Sequence, residues 1–131
     1  MRVAVDTNVL LRAVVRDERA QAEIAAQWLR NSNLLVVALS ALCELVWVLR
    51  RVYGFKAAEI ADTIRSLTSA DNVETNRPAV EAGLAMLDAG GDFADGVIAY
   101  EGRWLGAEMF VSFDKKAVEK LVAEGISARS L

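Results

Sequence analysis

Asp6, Glu44, Asp92, Asp95 and Asp114 are the residues of this chain whose type and placement suit them to chemistry. Carboxylates work as general acids or bases, or as oxygen ligands that hold a hard cation against a water and a substrate. The alternatives are few. The chain has no histidine, which excludes Ser–His, Cys–His and His-ligated metal sites at once. Its one cysteine, Cys43, cannot form an internal disulfide or a thiolate cluster.

Each acid also has a plain structural reading. Asp6 before Thr7-Asn8-Val9, Asp92 before Phe93-Ala94-Asp95 and Asp114 before Lys115-Lys116-Ala117 all suit a helix N-cap, worth about 1 kcal/mol. Asp95 would favour the positive end of its helix. Taken singly, each reads first as a cap. Glu44 differs, because it is the only charge between Arg30 and Arg50 and no neighbour at i±3 or i±4 is a cation. Buried and unpaired it would cost several kcal/mol, so the expectation is that it reaches the strand rim and meets a cation there. The alternative is simple emergence at the helix surface. Were Asp6, Glu44, Asp95 and Asp114 to converge, like charges about 4 Å apart would repel by roughly 4 kcal/mol per pair at an effective dielectric near 20. A cation would relieve this, and oxygen-only ligands select Mg²⁺ or Mn²⁺ over zinc.

The elements that must position these acids follow from patterning. Arg2-Val3-Ala4-Val5 favours a strand, and a helix follows through Val15. Asp17 is expected to open a second helix with Ile24, Ala25, Trp28 and Leu29 on its apolar face. Leu34 to Ala38 reads as a buried strand. Ser40 is expected to cap a long helix through Tyr53, stopped by Gly54. Lys56 to Leu67 is amphipathic, Val73-Glu74-Thr75 is a short strand, and Pro78 suits the first residue of a helix to Leu87. Helices are expected from Phe93 to Trp104 and from Asp114 through Val122, with strands at Glu108 to Phe113 and Ile126 to Arg129. Strands alternating with helices predict a three-layer α/β/α sandwich on a mainly parallel sheet. In such sheets ligands bind at the carboxyl ends of strands, where Asp6 and Asp114 fall.

The 131 residues are expected to form one domain, with 54% hydrophobic residues and a net charge of −3. No apolar run approaches the roughly 18 residues of a membrane span. Asp6 comes too early for a signal peptide, so a cytoplasmic chain is expected. Mild acidity argues against a general phosphate-binding surface but leaves room for a local basic patch.

Four segments in order carry a resemblance: Val3-Ala4-Val5-Asp6-Thr7-Asn8, the Ser40-x-x-x-Glu44 helix, Asp92-Phe93-Ala94-Asp95-Gly96-Val97-Ile98-Ala99, and Val111-Ser112-Phe113-Asp114-Lys115-Lys116. Together they resemble the PIN-domain ribonucleases, in particular the VapC-like toxins of type II toxin–antitoxin pairs. The resemblance runs nearly end to end. It implies a metal-dependent endoribonuclease that cleaves RNA phosphodiester bonds with a water activated by Mg²⁺ or Mn²⁺. The family's acids fall on Asp6, Glu44, Asp95 and Asp114, with Asp92 as a companion metal ligand. Thr7 and Ser112 match its hydroxyl positions, and Asn8 is expected to orient the loop. The resemblance also implies a homodimer and a small antitoxin that lays an apolar segment on the first helices and aims a basic side chain at the acids.

RNA needs cations near the rim. Arg12, Arg16, Lys115 and Lys116 are the first candidates and Arg50, Arg51 and Arg103 the next, though solvated surface charge accounts for any one of them. Trp28, Trp47 and Trp104 suit base stacking, but helical spacing favours core or interface packing. A dehalogenase-type phosphatase also places Asp after its first strand, yet needs a second Asp where this chain has Asn8. The rival of another class is a noncatalytic RNA- or protein-binding module on the same fold.

Overall fold

A computed structural model describes residues 1–131 as seven helices and five short strands, every strand pairing parallel. The chain divides into two compact units, Met1–Asn76 and Arg77–Leu131. No helix is long and apolar enough to cross a membrane.

The first unit begins with β1 (Arg2–Ala4), α1 (Thr7–Val15) and α2 (Arg19–Asn31), and continues with β2 (Leu34–Val36), α3 (Leu39–Arg51), α4 (Ala57–Ser69) and β3 (Val73–Glu74). The strand order is β1-β2-β3, with Val3 opposite Leu35 and Leu35 opposite Val73. Leu10, Leu35, Leu42, Leu45, Leu49, Ile60 and Ile64 are almost wholly buried, each contributing roughly 1.5–3 kcal/mol. In α3 the buried positions are Ala41, Leu42, Leu45, Val46 and Leu49, one stripe at helical spacing. Ser40, Glu44 and Trp47 lie off that stripe and are exposed.

Several boundaries differ from those expected. Ala38, not Ser40, is the N-cap of α3, and Glu18, not Asp17, is that of α2. The α2 helix buries Ala22 and Ala25, while Ile24 and Trp28 stay exposed. Its core contact is therefore made by small side chains rather than by the large ones that patterning selects.

The second unit contains α5 (Arg77–Asp88), α6 (Phe93–Trp104), β4 (Phe110–Ser112), α7 (Lys115–Ala123) and β5 (Ala128–Ser130). Strands β4 and β5 pair in register, Phe110 with Ala128 and Ser112 with Ser130. Met86, Ala99 and Leu121 form a core with Phe110, Ile126 and Ala128 packed against it. Lys120 Nζ on α7 donates to the Ala89 carbonyl just after α5, at 3.0 Å.

Helices α5 and α6 approach closely at two glycines. A Cβ on Gly96 would stand 2.3 Å from the Ala82 carbonyl oxygen, and one on Gly83 would meet the buried Phe93 ring at 2.6 Å. This fit lets Phe93 bury completely and so sets the start of α6, where Asp92 and Asp95 lie. Alanine normally gains about 1 kcal/mol over glycine inside a helix, but overpacking typically costs about 1–3 kcal/mol. Backbone at Ala82 cannot yield as a side-chain tip does. Gly96→Ala is therefore expected to lower unfolding stability in urea. Gly102→Ala, whose Cβ would meet only Ala107 at 3.8 Å, is expected to leave it unchanged or raise it.

Candidate active site

In the first unit, Asp6 follows β1 and caps α1. Its extended backbone (φ −88°, ψ 174°) lets Oδ1 accept the Val9 N–H at 3.1 Å. Thr7 is the first residue of α1, and its Oγ1 donates to Glu44 Oε2 at 3.0 Å. One hydroxyl thus ties Glu44 of α3 to the residue beside Asp6. Glu44 emerges at the helix surface, the plainer of the two expectations, and no Lys or Arg pairs with it. The side chain is exposed because the apolar stripe of α3 faces away from it, and its partner is a hydroxyl. Asn8 stands in the first turn of α1 rather than in a loop.

In the second unit, Asp92 caps α6, its Oδ1 accepting the Ala94 N–H at 3.2 Å. Asp114 caps α7, its Oδ1 accepting the Ala117 N–H at 3.1 Å. Ser112, the last residue of β4, accepts the Asp114 N–H on Oγ at 3.0 Å and so fixes the backbone that carries this acid. Asp95 is not a cap. It lies half-buried in the first turn of α6, and burial first, then Asp92, then Asp114 push its carboxyl above the usual range.

The structural reading thus holds for Asp6, Asp92 and Asp114: each caps a helix. Each cap bond uses Oδ1 and leaves the second oxygen's lone pairs for another ligand, so capping and cation binding are compatible. No three of these carboxylates stand close enough together to form a group able to hold a metal ion. The first unit supplies Asp6 with Glu44 beside its neighbour, and the second supplies Asp95 within electrostatic reach of Asp92 and Asp114. The donor set is all oxygen and negatively charged, and Asp95 is destabilised in its ionised form. Oxygen donors of this kind are the type that a hard divalent cation such as Mg²⁺ or Mn²⁺ prefers.

The PIN domain family matches residues 3–121. The chain belongs to the PIN domain family. Its helices and parallel strands are those of that α/β fold. PIN domains are generally nucleases and typically use divalent metals. No match is found among curated proteins.

Of the cations expected to face RNA, two are engaged. Arg12 Nη1 meets Asp17 Oδ1 at 3.2 Å, and Arg16 Nη2 meets Glu23 Oε1 at 2.9 Å. Asp17 Oδ2 in turn accepts the Tyr53 hydroxyl at 3.1 Å. Sequence reasoning missed this Arg12–Asp17–Tyr53 chain; an Arg and an Asp five apart across a helix end were the only local signal. Lys115 and Lys116 are exposed at the start of α7, and Arg50 and Arg51 of α3 and Arg103 of α6 are exposed as well. The tryptophans do not pack in the core of this PIN domain: Trp28, Trp47 and Trp104 are 49%, 59% and 78% exposed.

Asp95 yields a pH prediction for the metal-free protein. With its folded pKa raised above 3.8, the native state binds more protons than the unfolded chain between the two values. Stability is fully present below the unfolded value and is lost as pH rises through the folded one. Thermal melts in EDTA are expected to show Asp95→Asn more stable than wild type near neutral pH. The advantage should shrink on acidification.

Proposed function

We propose that this PIN domain is a metal-dependent endoribonuclease and the toxin of a type II toxin–antitoxin pair, acting as a cytoplasmic homodimer. The observation that carries the nuclease reading is the acid set of the second unit, Asp92, Asp95 and Asp114, in which burial and two neighbouring carboxylates disfavour the charge on Asp95. The toxin assignment rests on the resemblance of the four motifs. The proposed metal ligands are Asp6 and Glu44 of the first unit and Asp92, Asp95 and Asp114 of the second. Mg²⁺ or Mn²⁺, when bound, would acidify a water for attack on phosphorus and offset the negative charge that develops on the phosphate oxygens.

The chain's own residues do the positioning. Thr7 holds Glu44 through its hydroxyl, and Ser112 holds the backbone of Asp114. The helix N-termini at Asp6, Asp92 and Asp114 add partial positive charge where phosphate must approach. Without histidine, no imidazole is available to carry a proton, so the proposed proton transfer falls to water and carboxylates. Lys115 and Lys116, exposed beside Asp114, are the proposed phosphate contacts of the second unit. The proposed antitoxin is a small protein that covers the first helices and neutralises the acids with a basic side chain.

The three cap bonds favour the second reading, a noncatalytic RNA- or protein-binding module in which the acids only shape helices. Cleavage of a structured RNA in Mg²⁺ or Mn²⁺ separates the two. Wild type is expected to cut, and EDTA is expected to stop it. Asp6→Asn and Asp95→Asn are expected to lose activity by more than about a hundredfold, exceeding the usual cost of removing an outer-shell partner. Asparagine still caps, so Asp6→Asn should keep its melting behaviour. Full cleavage by either variant refutes the assignment.

Thr7→Val removes only the hydroxyl that steadies Glu44. Its expected cost is about 10–100-fold in activity with a small change in stability. Steady-state cleavage beside a urea melt checks both.

A further inference from the structure

The first unit carries a groove of about 620 Å³ walled by Val3 of β1, Val5 and Asp6 that follow it, Arg12 of α1, and Ile24 and Trp28 of α2. Its size is that of a small-molecule site, and its walls mix three chemistries. Asp6 is the first proposed metal ligand. Arg12 is a cation. Trp28 offers an indole that α2 leaves half in solvent while burying Ala22 and Ala25 instead. Asn8 and Gln21 add side-chain amides to the lining.

Arg12 is held rather than free. Asp17 grips Nη1 with one oxygen and takes the Tyr53 hydroxyl with the other. The carboxylate is thereby pinned between the end of α1 and the residues just after α3. Both members of the ion pair are substantially exposed, at 32% and 47%, so the pair adds little to stability. Its effect is orientation. One bond to Asp17 leaves the guanidinium with further N–H donors for an anion. A phosphate grip, an aromatic platform and amides for base edges are the parts from which single-stranded RNA recognition is built.

We infer that this groove seats one nucleotide of the RNA strand beside the bond to be cut, with Trp28 stacked on its base and Arg12 on its phosphate. Asp17 and Tyr53 are positioning residues that act through Arg12. The inference rests on the nuclease reading above.

The test combines steady-state cleavage of a short single-stranded RNA with binding of the same RNA, fluorescently labelled, to the Asp95→Asn protein over a range of salt. Arg12→Ala is expected to raise KM about tenfold, the larger part of its effect, and to reduce the salt slope of binding by about one. Arg12→Lys should restore the slope. Asp17→Asn and Tyr53→Phe should raise KM only while Arg12 is present and change nothing in the Arg12→Ala background. Trp28→Ala should weaken binding about tenfold and Trp28→Phe much less. Quenching of indole fluorescence by RNA should fall in Trp28→Phe.

Unchanged KM, affinity and slope in Arg12→Ala and Trp28→Ala, in a wild type that cuts RNA, overturn the groove assignment and leave the nuclease reading standing. So does loss confined to kcat. An effect of Asp17→Asn that persists without Arg12 overturns the positioning role. A wild type that cuts no RNA in Mg²⁺ or Mn²⁺ removes the nuclease reading, and this inference with it.

Discussion

A short strand that hands the chain to a helix through a single acidic cap is the constraint on which the rest of this structure depends. Parallel pairing forbids a tight hairpin, so each strand must leave through a crossover. At β1 and β4 the crossover begins within two residues, at Asp6 and Asp114. The cap bond fixes each carboxylate where backbone N–H groups point outward, and it occupies one oxygen of two. The position of the acid is thus a by-product of helix initiation. Thr7 and Ser112 extend the same economy, since residues needed to shape the turn also orient Glu44 and Asp114.

Asp95 obeys a different force. Its place is set by the packing of α5 on α6, where two glycines admit a close approach and Phe93 is drawn fully inside. Several kcal/mol of apolar burial outweigh the electrostatic cost of a half-buried carboxylate near two others. The strain this leaves is electrostatic, since burial and two neighbouring carboxylates disfavour the charge on Asp95.

Much of this was legible in the sequence. The caps at Asp6, Asp92 and Asp114 and both ends of α6 follow from local rules that depend on a few adjacent residues. The exposure of Glu44 did not, because α3 is apolar on more than one face and only its neighbours decide which stripe turns inward. Trp28 and Ile24 misled for a related reason: α2 packs through Ala22 and Ala25, where small side chains allow close approach, and the larger ones are left outside. The Arg12–Asp17–Tyr53 chain was invisible, since Tyr53 meets Asp17 from 36 positions away.

The tie from Lys120 to Ala89 has a consequence in time. The two residues are 31 positions apart, and Lys120 belongs to the last helix. A ribosome adding about 5–20 residues per second needs about 2–6 s to pass from one to the other. Through that interval the segment leading into Asp92 lacks its ammonium anchor, although α5 and α6 are already synthesised. The carboxylates of the second unit therefore acquire their final surroundings only after α7 has been made.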